Sequence, residues 1–125
     1  MHLGIGKESR IVDLQKDFNQ FYPYLKLEFF RHPSSQNKKL QKAEKVNPGE
    51  SVERLTRFYK DGSINIDHKK TVAELVEVFW EEFGLSVLVF RKSGNLWIET
   101  SLTDNWTLDK QNKIGESFSN SSDSL

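Results

Sequence analysis

The three histidines, His2, His32 and His68, are the first residues to test for chemistry, since imidazole binds metals and carries protons near neutral pH. No HExxH or related helical pair of ligands surrounds any of them. His68 follows Asp67, and neighbours on an extended chain point to opposite faces. All three read as surface histidines. The chain has no cysteine, which removes disulfides, thiolate zinc sites and thiol catalysis together. The sequence therefore leads us to expect no metal and no cofactor.

Among many carboxylates Glu99 stands out, because alternation puts it on one strand face with Phe90 and Trp97. A carboxylate held against rings loses hydration and its pKa rises, which is how a general acid is made. The competing reading pairs Glu99 with Lys26 or Arg91 at a strand edge. Gly4 and Gly6 lack both the preceding strand and the Lys-Ser/Thr of a phosphate loop.

Two sets of residues suggest binding instead. Arg31, Lys38, Lys39, Lys42 and Lys45 cluster beside Phe29 and Phe30, offset only by Glu44. A basic loop flanked by rings can hold single-stranded nucleic acid, with charge on the backbone and rings under bases. The second set is Trp80, Phe90, Arg91, Trp97 and Trp106. Trp, Phe and Arg are the residues from which protein interfaces draw most of their energy. Trp80 lies off the core stripe of its helix and is expected to be partly exposed. Trp97 and Trp106 are expected to be buried.

These residues depend on elements the sequence also marks. Thr71-Val72-Ala73-Glu74 is a capping box, and Val72, Leu75, Val76, Phe79 and Phe83 follow at helical spacing up to Gly84. This predicts a helix over 72–83. A hairpin should follow, with strands 85–91 and 96–101 and a turn centred on Ser93-Gly94, which sets Phe90 opposite Trp97. Both faces of that hairpin are apolar, so something must cover the second one. The stripe Ile11, Leu14, Phe18 and Phe21 predicts an amino-terminal helix with Ser9 as cap and Pro23 as stop, followed by a strand over 25–31. A second hairpin is expected from 55–59 and 63–67, turning through Lys60-Asp61-Gly62. Thr107 should cap a short helix from Leu108 to Lys113.

The whole reads as an α+β fold with a mainly antiparallel sheet of three to five strands and two main helices. From Leu55 on, the order strand, strand, helix, strand, strand is the order of β-grasp domains. Residues 1–115 would form one domain with a mobile basic loop at 32–52, and the Ser- and Asn-rich residues 116–125 a disordered tail.

Composition fits this picture. The 125 residues are 36% hydrophobic and 29% charged, and 18 basic residues balance 18 acidic ones, which disfavours a dedicated nucleic-acid coat. No apolar run approaches the roughly 18 residues of a membrane span, and Met1 to Arg10 contains no export signal. The expectation is a cytoplasmic protein without a membrane partner.

Gly84-Leu-Ser-Val-Leu-Val-Phe-Arg-Lys-Ser-Gly94, then Trp97-Ile-Glu-Thr100 and Thr103-Asp-Asn-Trp-Thr-Leu108, resemble small bacterial proteins described as uncharacterised. The resemblance covers the carboxy-terminal half best and implies a self-contained domain without adding chemistry. The expected function is a non-enzymatic protein-interaction module or accessory subunit of a bacterial assembly. Nucleic-acid binding through residues 31–45 stands second, and a small enzyme built on Glu99 third.

Overall fold

The computed structural model describes residues 1–31, 44–56 and 59–120. Among these, β1 (His2–Ile5), α1 (Ile11–Phe21), β2 (Leu25–Phe30), the single turn α2 (Val52–Leu55), β3 (Gly62–Asn65), α3 (Val72–Phe83), β4 (Ser86–Ser93), β5 (Leu96–Glu99) and α4 (Leu108–Asn120) follow in order. The fold is α+β, with its strands divided between two antiparallel sheets: β1-β3, and β2-β4-β5 with β4 in the centre.

Helix α3 forms as its sequence dictates. Glu74 N–H donates to Thr71 Oγ1 at 3.1 Å, and Thr71 N–H donates to Glu74 Oε1 at 3.0 Å, closing the capping box. Gly84 ends the helix at φ +61°, a conformation that costs a side-chain-bearing residue free energy. Two further first-turn amides donate outside the helix, Val72 N–H to Trp106 O and Ala73 N–H to Asp104 O. Val72, Leu75, Phe79 and Phe83 enter the core, where Phe79 meets Phe29 edge-on.

Helix α1 spans the predicted stripe, but Arg10 and not Ser9 is its cap residue, with Arg10 N–H bonded to Asp13 Oδ2. The Ser9 hydroxyl instead accepts from Gly6 N–H. Phe21 is exposed, and Tyr22 takes the buried place at the end of the stripe. Along α1, Gln15 donates to Leu27 O and Asn19 to Leu25 O, both at 2.9 Å, while Val46 N–H donates to Phe29 O. The outer edge of β2 is thereby closed.

Among the described residues the expected hairpin at 55–67 is not formed. Val52–Leu55 is a helical turn, and β3 pairs with β1, Leu3 opposite Ile64 and Ile5 opposite Gly62. Leu3, Ile5, Ile64 and Ile66 all enter the core, and that long-range burial outweighs a local turn. The β-grasp order lapses with the missing strand. The 3₁₀ turn Ser101–Thr103 ends the predicted strand 96–101 at Glu99. Helix α4 continues to Asn120, so residues 116–120 are helical and not a disordered tail.

Within the expected loop, Lys38, Lys39 and Lys42 lie outside the described residues. Its later part packs firmly: Val46 is buried, and Pro48 O and Glu50 O accept from the first amides of α1.

Candidate functional site: an open sheet face beside the Trp80 groove

Strands β2 and β4 pair with Leu27 opposite Val89 and Phe29 opposite Val87, so these four residues share the core face. The other face carries Lys26, Glu28, Phe30, Leu88, Phe90, Lys92, Trp97 and Glu99 by alternation. Helix α1 borders it on the β2 side, where Gln15, Lys16 and Asn19 line a groove with Lys26, Glu28 and Trp97. Phe30, Leu88, Phe90 and Trp97 are all half-buried there, an apolar strip across the three strands.

The hairpin turns at Gly94-Asn95, one residue later than expected, with Gly94 at φ +62° in the first central position of a II′-type turn. Phe90 therefore stands opposite Glu99, and Lys92 opposite Trp97. The slip moves each partner by two residues and leaves every side chain on its expected face.

Charge on this face is arranged around the rings. Lys26 Nζ sits 4.8 Å from the Trp97 ring centroid and 5.8 Å from that of Phe90. It also lies 3.3 Å from Glu28 Oε1, which Lys45 Nζ approaches to 3.5 Å. Glu28 is only 7% exposed, so these two ammonium groups neutralise a carboxylate held out of water. Glu99 pairs with neither Lys26 nor Arg91. Its Oε1 accepts from the Ser101 amide at 2.8 Å and from the Ser101 hydroxyl, which shapes the exit from β5.

Beyond Leu88 the face runs into a groove of about 310 Å³ between α3 and β4. Val76, Trp80 and Leu88 form its apolar walls, and Glu77, Glu99 and Asp104 its acidic rim. Trp80 is 38% exposed, as its position off the core stripe requires. A larger, open depression of about 800 Å³ lies between Glu8, Arg10, Glu50 and Arg54. Two of its charged groups are already engaged: Arg10 donates to Gly49 O, and Glu50 pairs with Arg31.

Arg91 and Trp106 belong elsewhere. Arg91 lies on the core side, under α4, with its guanidinium 5.6 Å from the Trp106 ring, and Lys110 Nζ is 4.3 Å from that ring. Trp106 and Trp97 are both half-buried, where burial was expected. Of the basic set, Arg31 faces Glu50 at 3.3 Å and Glu44 at 4.0 Å, and Lys45 faces Glu28.

No protein-family model, curated protein or solved structure matches this chain at a significant level. Among the described residues no group of three or more histidines or carboxylates gathers to hold a metal ion. Nor is any helix among them long and apolar enough to cross a membrane. His2 and His68 are exposed, with His68 Nδ1 3.3 Å from the Tyr22 hydroxyl and 3.9 Å from Asp109. His32 lies outside the described residues.

Sequence reasoning named Lys26 only as a partner for Glu99 and did not set it over the rings, although alternation in Leu25-Lys-Leu-Glu-Phe29 puts Lys26 and Glu28 on the face away from the core. Alternation also puts Leu88 on this face, but its place in the Trp80 groove shows only once α3 is known to flank the start of β4.

Proposed function

We propose that the protein is a non-enzymatic protein-interaction module, an accessory subunit of the kind a bacterial cytoplasmic assembly would use. The observation that carries this reading is the half-buried apolar strip Phe30, Leu88, Phe90 and Trp97, continuous through Leu88 and Glu99 with the groove that holds Trp80. Half-exposed rings grouped in this way cost free energy in water and contribute strongly when a partner desolvates them. The acidic rim of Glu77, Glu99 and Asp104 favours a partner with basic groups around an apolar centre.

Two observations weigh against the other readings. Arg31 and Lys45, the members of the basic set that are described, both face carboxylates. Glu99 Oε1 is engaged by the Ser101 amide and hydroxyl at the exit from β5.

Affinity capture from lysate of the source cell tests the proposal, using wild type, Trp80→Ala and Phe90→Ser. A defined protein retained by wild type and lost from both variants supports it. Recovery of nuclease-sensitive material alone overturns it in favour of nucleic-acid binding.

A further inference from the structure

The two edges of the β2-β4-β5 sheet are treated differently. Helix α1 and Val46 close the β2 edge through bonds to Leu25 O, Leu27 O and Phe29 O. On the other side no described residue pairs with β5. Thr100 N–H donates to Val89 O, so in the antiparallel ladder Ile98 and Leu96 also turn their amides and carbonyls toward β4. The main-chain groups of Trp97 and Glu99 consequently point outward.

Open edges in monomeric proteins are ordinarily guarded by short strands, charged side chains, proline or a bulge. Strand β5, Leu96-Trp-Ile-Glu99, is short and carries the one charge of Glu99, with no lysine or proline. Leu96 is 69% exposed and Ile98 43%, and Leu102 just beyond is wholly exposed. An apolar edge guarded only by Glu99 is a candidate pairing surface.

We propose that β5 pairs antiparallel with β5 of a second copy about a two-fold axis at Ile98, joining two three-stranded sheets into one. Charge selects this occupant and this register. In it, Trp97 stands opposite Glu99 of the second copy, and both residues direct their main-chain groups across the axis, giving about four hydrogen bonds. Each Glu99 then stands opposite Trp97 of the other copy, whose ring that copy's Lys26 approaches from the β2 side, so a carboxylate and an ammonium flank each Trp97 from opposite sides. The two Glu99 side chains do not face each other. Ile98 meets its own counterpart, as an isologous interface requires. A formal net charge of zero leaves no overall repulsion between copies. The pairing also doubles the length of the aromatic face without covering it, and it stands independently of the function proposed for that face.

Sedimentation equilibrium from low to high micromolar protein tests the proposal. Wild type should rise to twice the chain mass, while Leu96→Lys and Ile98→Lys stay monomeric with unchanged circular dichroism. A second measurement needs no variant: amide exchange at Trp97 and Glu99 in wild type should slow as concentration rises. Wild type monomeric throughout overturns the proposal, as does a dimer that survives both substitutions or leaves those two amides unprotected. Slowed exchange only on adding an unrelated extended peptide overturns the second copy as occupant.

Discussion

Arg91 donates from Nη1 to Gln111 Oε1 at 2.9 Å, and this bond ties the central strand of the sheet to the C-terminal helix. Gln111 is fully buried, and its Nε2 donates to Thr103 O at 2.8 Å and to Thr103 Oγ1 at 2.9 Å. One side chain therefore joins β4, the 3₁₀ turn and α4. Gln111→Leu keeps the volume and removes every bond, stranding the Arg91 guanidinium and the Thr103 carbonyl. We expect a loss of about 2 kcal/mol in urea unfolding, the cost of leaving buried polar groups unpaired. Retention of wild-type stability would mean that water replaces the amide.

Gly115 gives a prediction with the opposite sign to helix propensity. Alanine in a helix interior normally gains up to about 1 kcal/mol over glycine. A Cβ at 115 would lie 2.8 Å from Tyr24 Cβ and 3.2 Å from Tyr24 O, with Arg91 Cγ at 3.1 Å. Because two of these three atoms belong to the backbone or Cβ of Tyr24, just before β2, relief requires α4 to move. Gly115→Ala should destabilise by about 1–3 kcal/mol, the range for overpacking. A thermal melt that rises instead would show that α4 shifts freely on the sheet.

The cap of α3 predicts a linked pair of effects. Thr71→Ala should cost about 1 kcal/mol through the lost N-cap bond. The Thr71 amide, then its hydroxyl, bonds the Glu74 carboxylate and holds its pKa below the usual carboxylate range. A carboxyl group depressed in the folded state stabilises the fold above its unfolded pKa, and that share is lost as pH falls through the folded value. Thr71→Ala keeps the amide bond and loses the hydroxyl. The Glu74 titration followed by NMR should therefore move upward, yet stay below an unbonded carboxylate. No movement would show that the hydroxyl contributes nothing to the charge.

Helix α3 was legible because its signals are local: Thr71, Glu74 and Gly84 each act within one turn of their own position. The faces of β4 and β5 were legible for a similar reason, since alternation survives a turn misplaced by one residue. Strand β1 was not. Its four residues include Gly4, and its partner β3 lies some sixty residues away, so only long-range burial of Leu3 and Ile64 reveals it. The end of α4 was not legible, because the Ser- and Asn-rich residues after Gly115 offer little to bury. The open edge of β5 was equally hidden. Nothing within Leu96-Trp-Ile-Glu99 says that Gln15 and Asn19 close the opposite edge and leave this one unpaired.

Tyr22 links the amino-terminal helix to the end of β3 and makes the alkaline limit of stability testable. Its side chain is buried, and its hydroxyl donates to Ile66 O at 2.6 Å. Burial first, then the charges of Asp67 and Asp109, push its pKa up to about 12. His68 Nδ1 also faces the hydroxyl at 3.3 Å, and Lys113 lies beyond it, paired with Asp109. In the unfolded chain tyrosine ionises near pH 10 (about 10). The folded pKa is the higher one, so the stabilisation is intact below about pH 10 and is lost as pH rises toward about 12. Tyr22→Phe should cost about 1 kcal/mol at neutral pH for the lost hydrogen bond. Above pH 10 the difference from wild type should shrink, because phenylalanine has no proton to lose in the unfolded state. Urea midpoints for both proteins at neutral pH and at about pH 10.5 decide it. A gap that stays constant would mean Tyr22 ionises as easily in the fold as in water, and that its bond to Ile66 does not hold the proton.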